Sequence, residues 1–274
     1  MDLVDRLIEL ALAEDVGPGD LTTEALIPPD QEGRAAFLCK ERMVVAGLEP
    51  ARRTFLRVDP RCEVRFFVEE GRVVEAGRVF GEVRGPVRAI LTAERTALNF
   101  LQRLCGIATL TRQWVDVLAG TRLQLLDTRK TIPGHRVLEK AAVRAGGAMN
   151  HRLGLYDGVL VKDNHLAAVG SIEEAIARAR ARAPALTKVE IEVRTPEEAE
   201  RAATAGADVI LLDNMSDEDI AEAVRRVAGR ALVEISGGVT LERLPRLART
   251  GADFVSAGAI THQARAVDIS LELE

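Results

Sequence analysis

Apolar positions at Leu3, Leu7, Leu10 and Ala11 recur at helical spacing, which predicts an amphipathic helix over 2–14. A turn-rich segment, Gly-Pro-Gly-Asp at 17–20, follows it. Short alternating stretches come next, at Arg34–Cys39, Glu63–Val68, Arg72–Val74 and Val79–Val83, punctuated by Gly71, Gly77, Gly81 and Gly85-Pro86. These predict antiparallel strands, so the first third is α+β. A long helix is expected from near Thr92 to about Leu118. After it the rhythm changes to strand, loop, helix. Six apolar strands are expected, at Leu123–Leu126, Gly158–Val161, Val189–Val193, Val209–Leu212, Leu232–Ile235 and Phe254–Val255. Ser171-x-x-Glu174 and Thr195-x-x-Glu198 read as capping boxes, the second with Pro196 at the first helical position. Such alternation predicts a parallel sheet, and six units are fewer than a closed eight-strand barrel needs, so a short or open barrel is expected.

The chain has 274 residues, enough for one large domain or two modest ones. A net charge of −5 argues against a general nucleic-acid partner. No apolar run approaches the ~18 residues of a membrane span, and the acidic N-terminal helix does not read as a targeting peptide. Cys39, Cys62 and Cys105 stand far apart without a CxxC pair, which fits a cytoplasmic location and gives no zinc or disulfide framework. Of 37 basic residues only five are lysine, leaving 32 arginines, yet Lys130, Lys140 and Lys162 fall within 130–165 together with His135, His151 and His165. Lysine and arginine differ in geometry and hydration, so lysines kept in an arginine-rich chain point to a specific task, set against chance clustering.

Each barrel strand ends in polar residues or glycine. In order these are Asp127-Thr128-Arg129-Lys130, Lys162-Asp163-Asn164-His165, Glu190 and Glu192, Asp213-Asn214, Ser236-Gly237-Gly238 and Ser256-Ala257-Gly258. Loops after parallel barrel strands converge on one face, where active sites are built. Caps and turns explain Asp127 or Ser256 singly, but neither Lys162 nor Glu192 is a favoured cap or turn residue. The cations Arg129, Lys130 and Lys162, with His151-Arg152 between them, imply a strongly anionic ligand. Glu192 and Asp213 suit ribose hydroxyls or a Mg²⁺ ion bound through water, and the two late glycine loops suit a phosphate. Mutual salt bridges are the competing reading. Glu190 and Glu192 share a face of their strand; Glu192 is preferred for chemistry and Glu190 for a buried, partnered role. Arg95, placed in the first turn of the long helix, forms a polar stripe with Asn99 and Gln102, and its opposition to the helix dipole favours an anion or partner beside it. His135 and His262 are left as surface or helix residues, His165 as a capping or packing group, and Cys105 as core.

The stretch DTRKTIPGHRVLEKAAVRAGGAMNHRLGLYDGVLVKDNH at 127–165 resembles the signature of the quinolinate phosphoribosyltransferase (carboxylating nicotinate-nucleotide pyrophosphorylase) family. The resemblance extends to EDVGPGDLTTEALIP near the N-terminus, ERTALNFLQRLCGIAT at 94–109, VEIEV at 189–193, ILLDNM at 210–215 and EISGGV at 234–239. Ile132, His135, Ala142 and Ala148 depart from it, standing where Thr, Leu, Tyr and Gly are more usual. It implies an N-terminal α/β sandwich over 1–110, onto which 266–274 returns, and a C-terminal open α/β barrel of about six parallel strands over 111–265. It also implies conversion of quinolinate and phosphoribosyl pyrophosphate to nicotinate mononucleotide, CO₂ and pyrophosphate in NAD biosynthesis, by a homodimer, in some members a hexamer. On that basis Arg95 enters the neighbour's site and binds a carboxylate. Arg129, His151 and Arg152 bind quinolinate's two carboxylates, with Thr128 beside them at the strand end. Lys130 and Lys162 lie between quinolinate and the diphosphate; with Glu192 and Asp213 they form the catalytic set. Glu192 and Asp213 hold ribose and Mg²⁺, while Ser236, Gly237, Gly238, Ser256, Ala257 and Gly258 hold the 5-phosphate. The rivals are a same-fold phosphoribosyltransferase acting on another base, such as the pyrophosphorylase-like protein associated with molybdate transport, and a non-catalytic interaction protein. Four candidate carboxylate-binding groups, Arg95, Arg129, His151 and Arg152, favour a dicarboxylate over the first. The lack of lysine across 41–129 disfavours a carrier module.

Overall fold

A computed structural model describes residues 2–274. The chain begins with α1 (Leu3–Asp15), α2 (Leu21–Leu26), β1 (Glu32–Cys39), β2 (Met43–Val44), α3 (Leu48–Val58), β3 (Glu63–Phe66), β4 (Val73–Val74), β5 (Val79–Pro86) and α4 (Val87–Val117). It continues with β6 (Gln124–Leu126), α5 (Arg136–Gly146), β7 (Val159–Val161), α6 (Asp163–Val169), α7 (Ile172–Arg182), β8 (Val189–Val193), α8 (Pro196–Thr204) and β9 (Val209–Asp213). The last elements are α9 (Asp217–Val227), β10 (Leu232–Ser236), α10 (Leu244–Leu247), β11 (Phe254–Ser256), α11 (Ala259–His262) and β12 (Ile269–Leu273).

Two compact units result. The first comprises residues up to Arg112 with Thr131–Gly147 and Ile260–Glu274. Its antiparallel sheet has the order β12-β1-β5-β3, with Phe37 of β1 opposite Gly81 of β5 and Leu271 of β12. Phe37, Phe55, Phe66 and Phe80 meet in the core, ring centroids 5.2 to 5.9 Å from Phe37. Such offset and edge-on aromatic contacts add to the burial term. The hexapeptide helix α2, invisible to periodicity, is held at both ends. Asp20 accepts from the Thr23 N–H at 3.0 Å, and Arg88 donates to the Ile27 and Glu24 carbonyls at 2.7 and 3.1 Å.

Helix α4 starts at Val87, not near Thr92, directly from Pro86 at the end of β5; the Val87 N–H donates to the Gln31 carbonyl at 2.8 Å. Arg95 is therefore not in the first turn, and the helix-dipole argument for it lapses. Gln102, expected in the same polar stripe, donates to the Ile269 carbonyl at 2.9 Å and fastens β12. The sequence places 131–147 and 260–265 with the barrel, whereas here they belong to the first unit. The Arg103 guanidinium explains the grouping: it binds Glu139 of α5 at 2.9 Å and the Thr261 and Ala264 carbonyls at 2.8 and 2.7 Å.

The second unit comprises Gln113–Lys130 and Ala148–Ala259. Its six parallel strands run in the order β6-β11-β10-β9-β8-β7, and among the described residues β6 and β7 do not pair with each other, so the sheet is an open barrel. The register fixes what each face carries. Leu160, Glu190, Val209 and Leu232 lie side by side, and one pleat further on so do Glu192, Leu211, Glu234 and Phe254. Asp213 pairs with Ser236 in the next row, and Ser256 with Leu126. Alternate side chains share a face, so this face carries the polar groups. The other face is apolar and buried: Val189, Ile191, Val193, Ile210, Leu212, Val233, Ile235 and Val255, against which α7 and α8 pack. Those helices start as expected from the Ser171 and Thr195 side chains, but only the forward arm of each box is used; Glu198 accepts instead from the Arg194 N–H at 2.8 Å.

Candidate active site

The polar face ends in the loops that carry the candidate residues. After β6, Asp127 is wholly buried. Its carboxylate accepts from the Asn150 side-chain amide at 2.7 Å and from the His151 N–H at 2.8 Å. Met149 and Asp127 exchange backbone bonds with this strand end, the Met149 N–H to the Leu125 carbonyl at 3.0 Å and the Asp127 N–H to the Met149 carbonyl at 3.2 Å. The segment 149–151 thus lies along β6 as an added rung, which brings His151 and Arg152 to the strand ends where Thr128, Arg129 and Lys130 emerge. The Lys130 N–H donates to Thr128 Oγ1 at 3.0 Å, which shapes the turn; Arg129 and Lys130 are exposed. Arg152 donates to the Gly158 carbonyl at 3.0 Å. Burial, and then the Arg129 charge, pull its guanidinium below the ordinary arginine range. Two arginines held this close suit an anion that neutralises both.

Beneath them sits a cluster that the sequence reading did not assemble. His151 Nδ1 accepts from the Arg152 N–H at 2.8 Å, while Nε2 lies 3.0 Å from Glu190 Oε2 and 3.5 Å from Glu234 Oε2. The acceptor role of Nδ1 puts the ring proton on Nε2, where it meets Glu190. Burial and the neighbouring Glu190 carboxylate push the Glu234 carboxyl up to about 8, against the opposing pull of His151 and the Ser256 hydroxyl. His151, expected to grip a ligand carboxylate, has both ring nitrogens turned to protein groups. Glu190 is buried and partnered, as the sequence suggests; Asp127 reads singly as a cap or turn residue and Glu234 as an ordinary strand residue, so neither is legible as part of a cluster.

At the ends of β7, β8 and β9 the charges alternate. Lys162 Nζ lies 3.5 Å from Glu192 Oε2, and Arg194 spans Asp163 at 3.0 Å and Asp213 at 3.8 Å. Burial raises the Glu192 carboxyl above its usual range; Lys162 opposes this, and the Asp213 and Asp163 charges add to it. Crowded hard oxygen donors of this kind suit Mg²⁺ held through water. His151, Glu190 and Glu234 also offer ligand atoms within 4.8 Å of one another, but an imidazole already hydrogen-bonded to a carboxylate is not a magnesium donor set. Lys162 stands at the start of α6, where the His165 ring Nδ1 accepts its N–H at 2.9 Å, the capping role expected of His165.

The glycine loops are stapled from outside. Gly237 and Gly238 take φ of +83° and +59°, and a Cβ at Gly237 would lie 2.2 Å from Asn214 Oδ1, so only glycine fits there. Arg243 donates to the Met215 carbonyl at 2.8 Å and the Gly238 carbonyl at 3.3 Å, and pairs with Asp217 at 2.8 Å. It went unnoticed in a chain rich in arginine; its spacing from the Ser-Gly-Gly turn was the available signal. In the last loop Ser256 is buried facing Glu234, and the Ala257 N–H is already donated to the Leu126 carbonyl at 3.1 Å. The candidate residues of the second unit therefore lie in the last residues of the strands or in the loops next to them. Arg95 belongs to the first unit, exposed on α4. Cys105 is core, its thiol pushed up to about 12 by burial.

Residues 20–105 match the profile described as quinolinate phosphoribosyl transferase, N-terminal domain, and residues 107–272 match that of the C-terminal domain. A chloroplastic nicotinate-nucleotide pyrophosphorylase [carboxylating] of Arabidopsis thaliana is 42% identical over 287 residues, 98% of this chain and 82% of that protein. A mitochondrial quinolinate phosphoribosyltransferase [decarboxylating] of Nicotiana glauca is 41% identical over 288 residues, again covering 98% and 82%. The crystal structure of NadC from Streptococcus pyogenes superposes with a TM-score of 0.95 at 42% identity, covering 99% of this chain and 96% of that one.

Proposed function

Because the chain belongs to the quinolinate phosphoribosyl transferase family, we propose that it moves the phosphoribosyl group of phosphoribosyl pyrophosphate onto the ring nitrogen of quinolinate, with loss of CO₂, giving nicotinate mononucleotide for NAD biosynthesis. The observation that carries this reading is the single polar face on which Arg129, Arg152 and Lys162 stand beside Glu192 and Asp213. Planar guanidiniums at Arg129 and Arg152 match the bidentate geometry of carboxylates. Lys130 and Lys162 neutralise the charge that gathers on the departing diphosphate. Glu192 and Asp213 hold the ribose hydroxyls and tolerate the positive charge that develops at C1. Mg²⁺, when bound through water at Glu192 and Asp213, adds further neutralisation of the diphosphate. The ring nitrogen then bonds to C1. With the ring cationic, the 2-carboxylate leaves as CO₂; its electron pair stays on C2, stabilised by the adjacent N⁺, and takes up a proton from solvent to complete the product. No side-chain nucleophile is required.

The glycine turn at 236–238 cradles the 5-phosphate, with Arg243 holding that turn in shape; in the 256–258 turn Ser256 and the Ala257 N–H are already engaged within the protein, so that turn has a supporting part. We further propose a homodimer in which Arg95 of one subunit enters the other subunit's site; a hexamer is compatible with the same contact. A cytoplasmic setting suits three free, buried cysteines, and no helix among the described residues is long and apolar enough to cross a membrane. Incubation with quinolinate, phosphoribosyl pyrophosphate and Mg²⁺ is expected to release CO₂ and the nicotinate nucleotide in equal amounts. Failure of the folded protein to form either product, or turnover of nicotinate in place of quinolinate, overturns the reading.

A further inference from the structure

We infer that Glu190 and Glu234 are positioning residues for the pyridine dicarboxylate, acting through His151 to hold Arg152 in place. The inference rests on the proposed role of the His151-Arg152 segment and goes beyond it. The geometry is a chain of linked contacts. Glu190 and Glu234 converge on one atom, His151 Nε2, at 3.0 and 3.5 Å. The opposite ring nitrogen accepts the Arg152 N–H at 2.8 Å. The backbone N–H of His151 is pinned by Asp127 at 2.8 Å, and the Arg152 guanidinium by the Gly158 carbonyl at 3.0 Å. The imidazole is thus a rigid strut between two buried carboxyl groups and the backbone of a ligand-facing arginine. A buried charge-bearing side chain is restrained most firmly when both ends of its support are fixed.

Both glutamates are buried beside the imidazole. Their side chains are only 9% and 2% exposed, and Glu190 Oε1 and Glu234 Oε1 lie buried without a hydrogen-bond partner. With Nδ1 accepting from the Arg152 N–H, Nε2 carries the ring proton, and Glu190 accepts it at 3.0 Å. The arrangement fixes the ring as the Nε2–H tautomer, the one that lets Nδ1 accept from Arg152. The other tautomer points Nδ1–H at an N–H and breaks the strut. Both carboxyls are buried and face His151, so they act on the reaction through it.

Three readouts separate positioning from general support. Replacing Glu234 by glutamine keeps a neutral hydrogen-bonding group, and turnover is expected to stay within about threefold of the parent. Replacing it by leucine removes the partner, and KM for quinolinate is expected to rise about tenfold or more while KM for phosphoribosyl pyrophosphate stays nearly constant. In protein with ¹⁵N-labelled histidine, His151 is expected to show the neutral Nε2–H tautomer in the parent and in Glu234→Gln, and to lose it in Glu190→Leu, which removes the acceptor of the Nε2 proton. A His151→Gln sample assigns the signals. An unchanged quinolinate KM in Glu234→Leu, an equal rise of both KM values, or an Nδ1–H tautomer in the parent each overturns the inference. If either leucine variant does not fold, the tautomer in the parent still decides. A parent that shows the Nε2–H tautomer but does not turn over quinolinate refutes the reaction rather than the strut.

Discussion

Glu234 is where side-chain chemistry and stability meet. Its carboxyl is raised from an ordinary 4.5 to about 8 in the folded protein. Between those values the folded state binds a proton that the unfolded chain releases, so stability is greatest at the acidic end and falls as pH rises toward 8. Glu234→Gln has no proton to lose. Its stability relative to the parent is therefore expected to increase steadily from pH 5 to pH 8, as read from urea unfolding at several pH values; a constant difference excludes a shared proton at this position. The same scale shows why some residues were legible and others not. Lys162 and Glu192 stood out because neither is a usual cap or turn residue, and they form an ion pair. Asp127, Glu234 and Arg243 are ordinary in type and exceptional only in partners 20 or more residues distant, or across a tight turn, that no local pattern reveals.

At the level of elements, short apolar runs alternating with capped helices predict the barrel strands. The strands at β8 to β11 lie where expected to within a residue or so, and their register divides polar from apolar faces. Helix α4 starts earlier than expected because Pro86 ends β5 and the helix begins at once. The same helix holds a close approach. A Cβ on Gly106 would lie 2.0 Å from the Arg265 carbonyl oxygen, a backbone atom that cannot swing aside. Gly106→Ala is therefore expected to destabilise the first unit by about 1–3 kcal/mol or more, despite alanine's better helix propensity. Thermal unfolding measures it, and a neutral or stabilised variant shows that the 265–266 segment is free to move away.

For the whole molecule, the two units carry different parts of the proposed site: Arg95 stands in the first, and the remaining candidates in the second. The proposed composite site leads to a complementation test. Arg95→Ala and Lys130→Ala are each expected to lose most activity without unfolding. Mixed under conditions of demonstrated subunit exchange, they regain part of it, because one site in a mixed dimer holds both parental residues. Recovery of nothing from exchanging subunits rejects the shared site and leaves the chemistry of the second unit untouched.

Hydrophobic periodicity, caps and the polar strand ends were enough to read an α+β first part, a six-strand parallel sheet and a cationic rim beside two carboxylates, because these depend on neighbours a few residues apart. What lay beneath the rim required the folded chain. The convergence of Asp127, His151, Glu190, Glu234 and Ser256 depends on strand order and register, which bring residues from 127 to 256 together on one face. Burial there decides which of them keeps its proton, and burial is a property of packing that the order of residues along the chain does not contain.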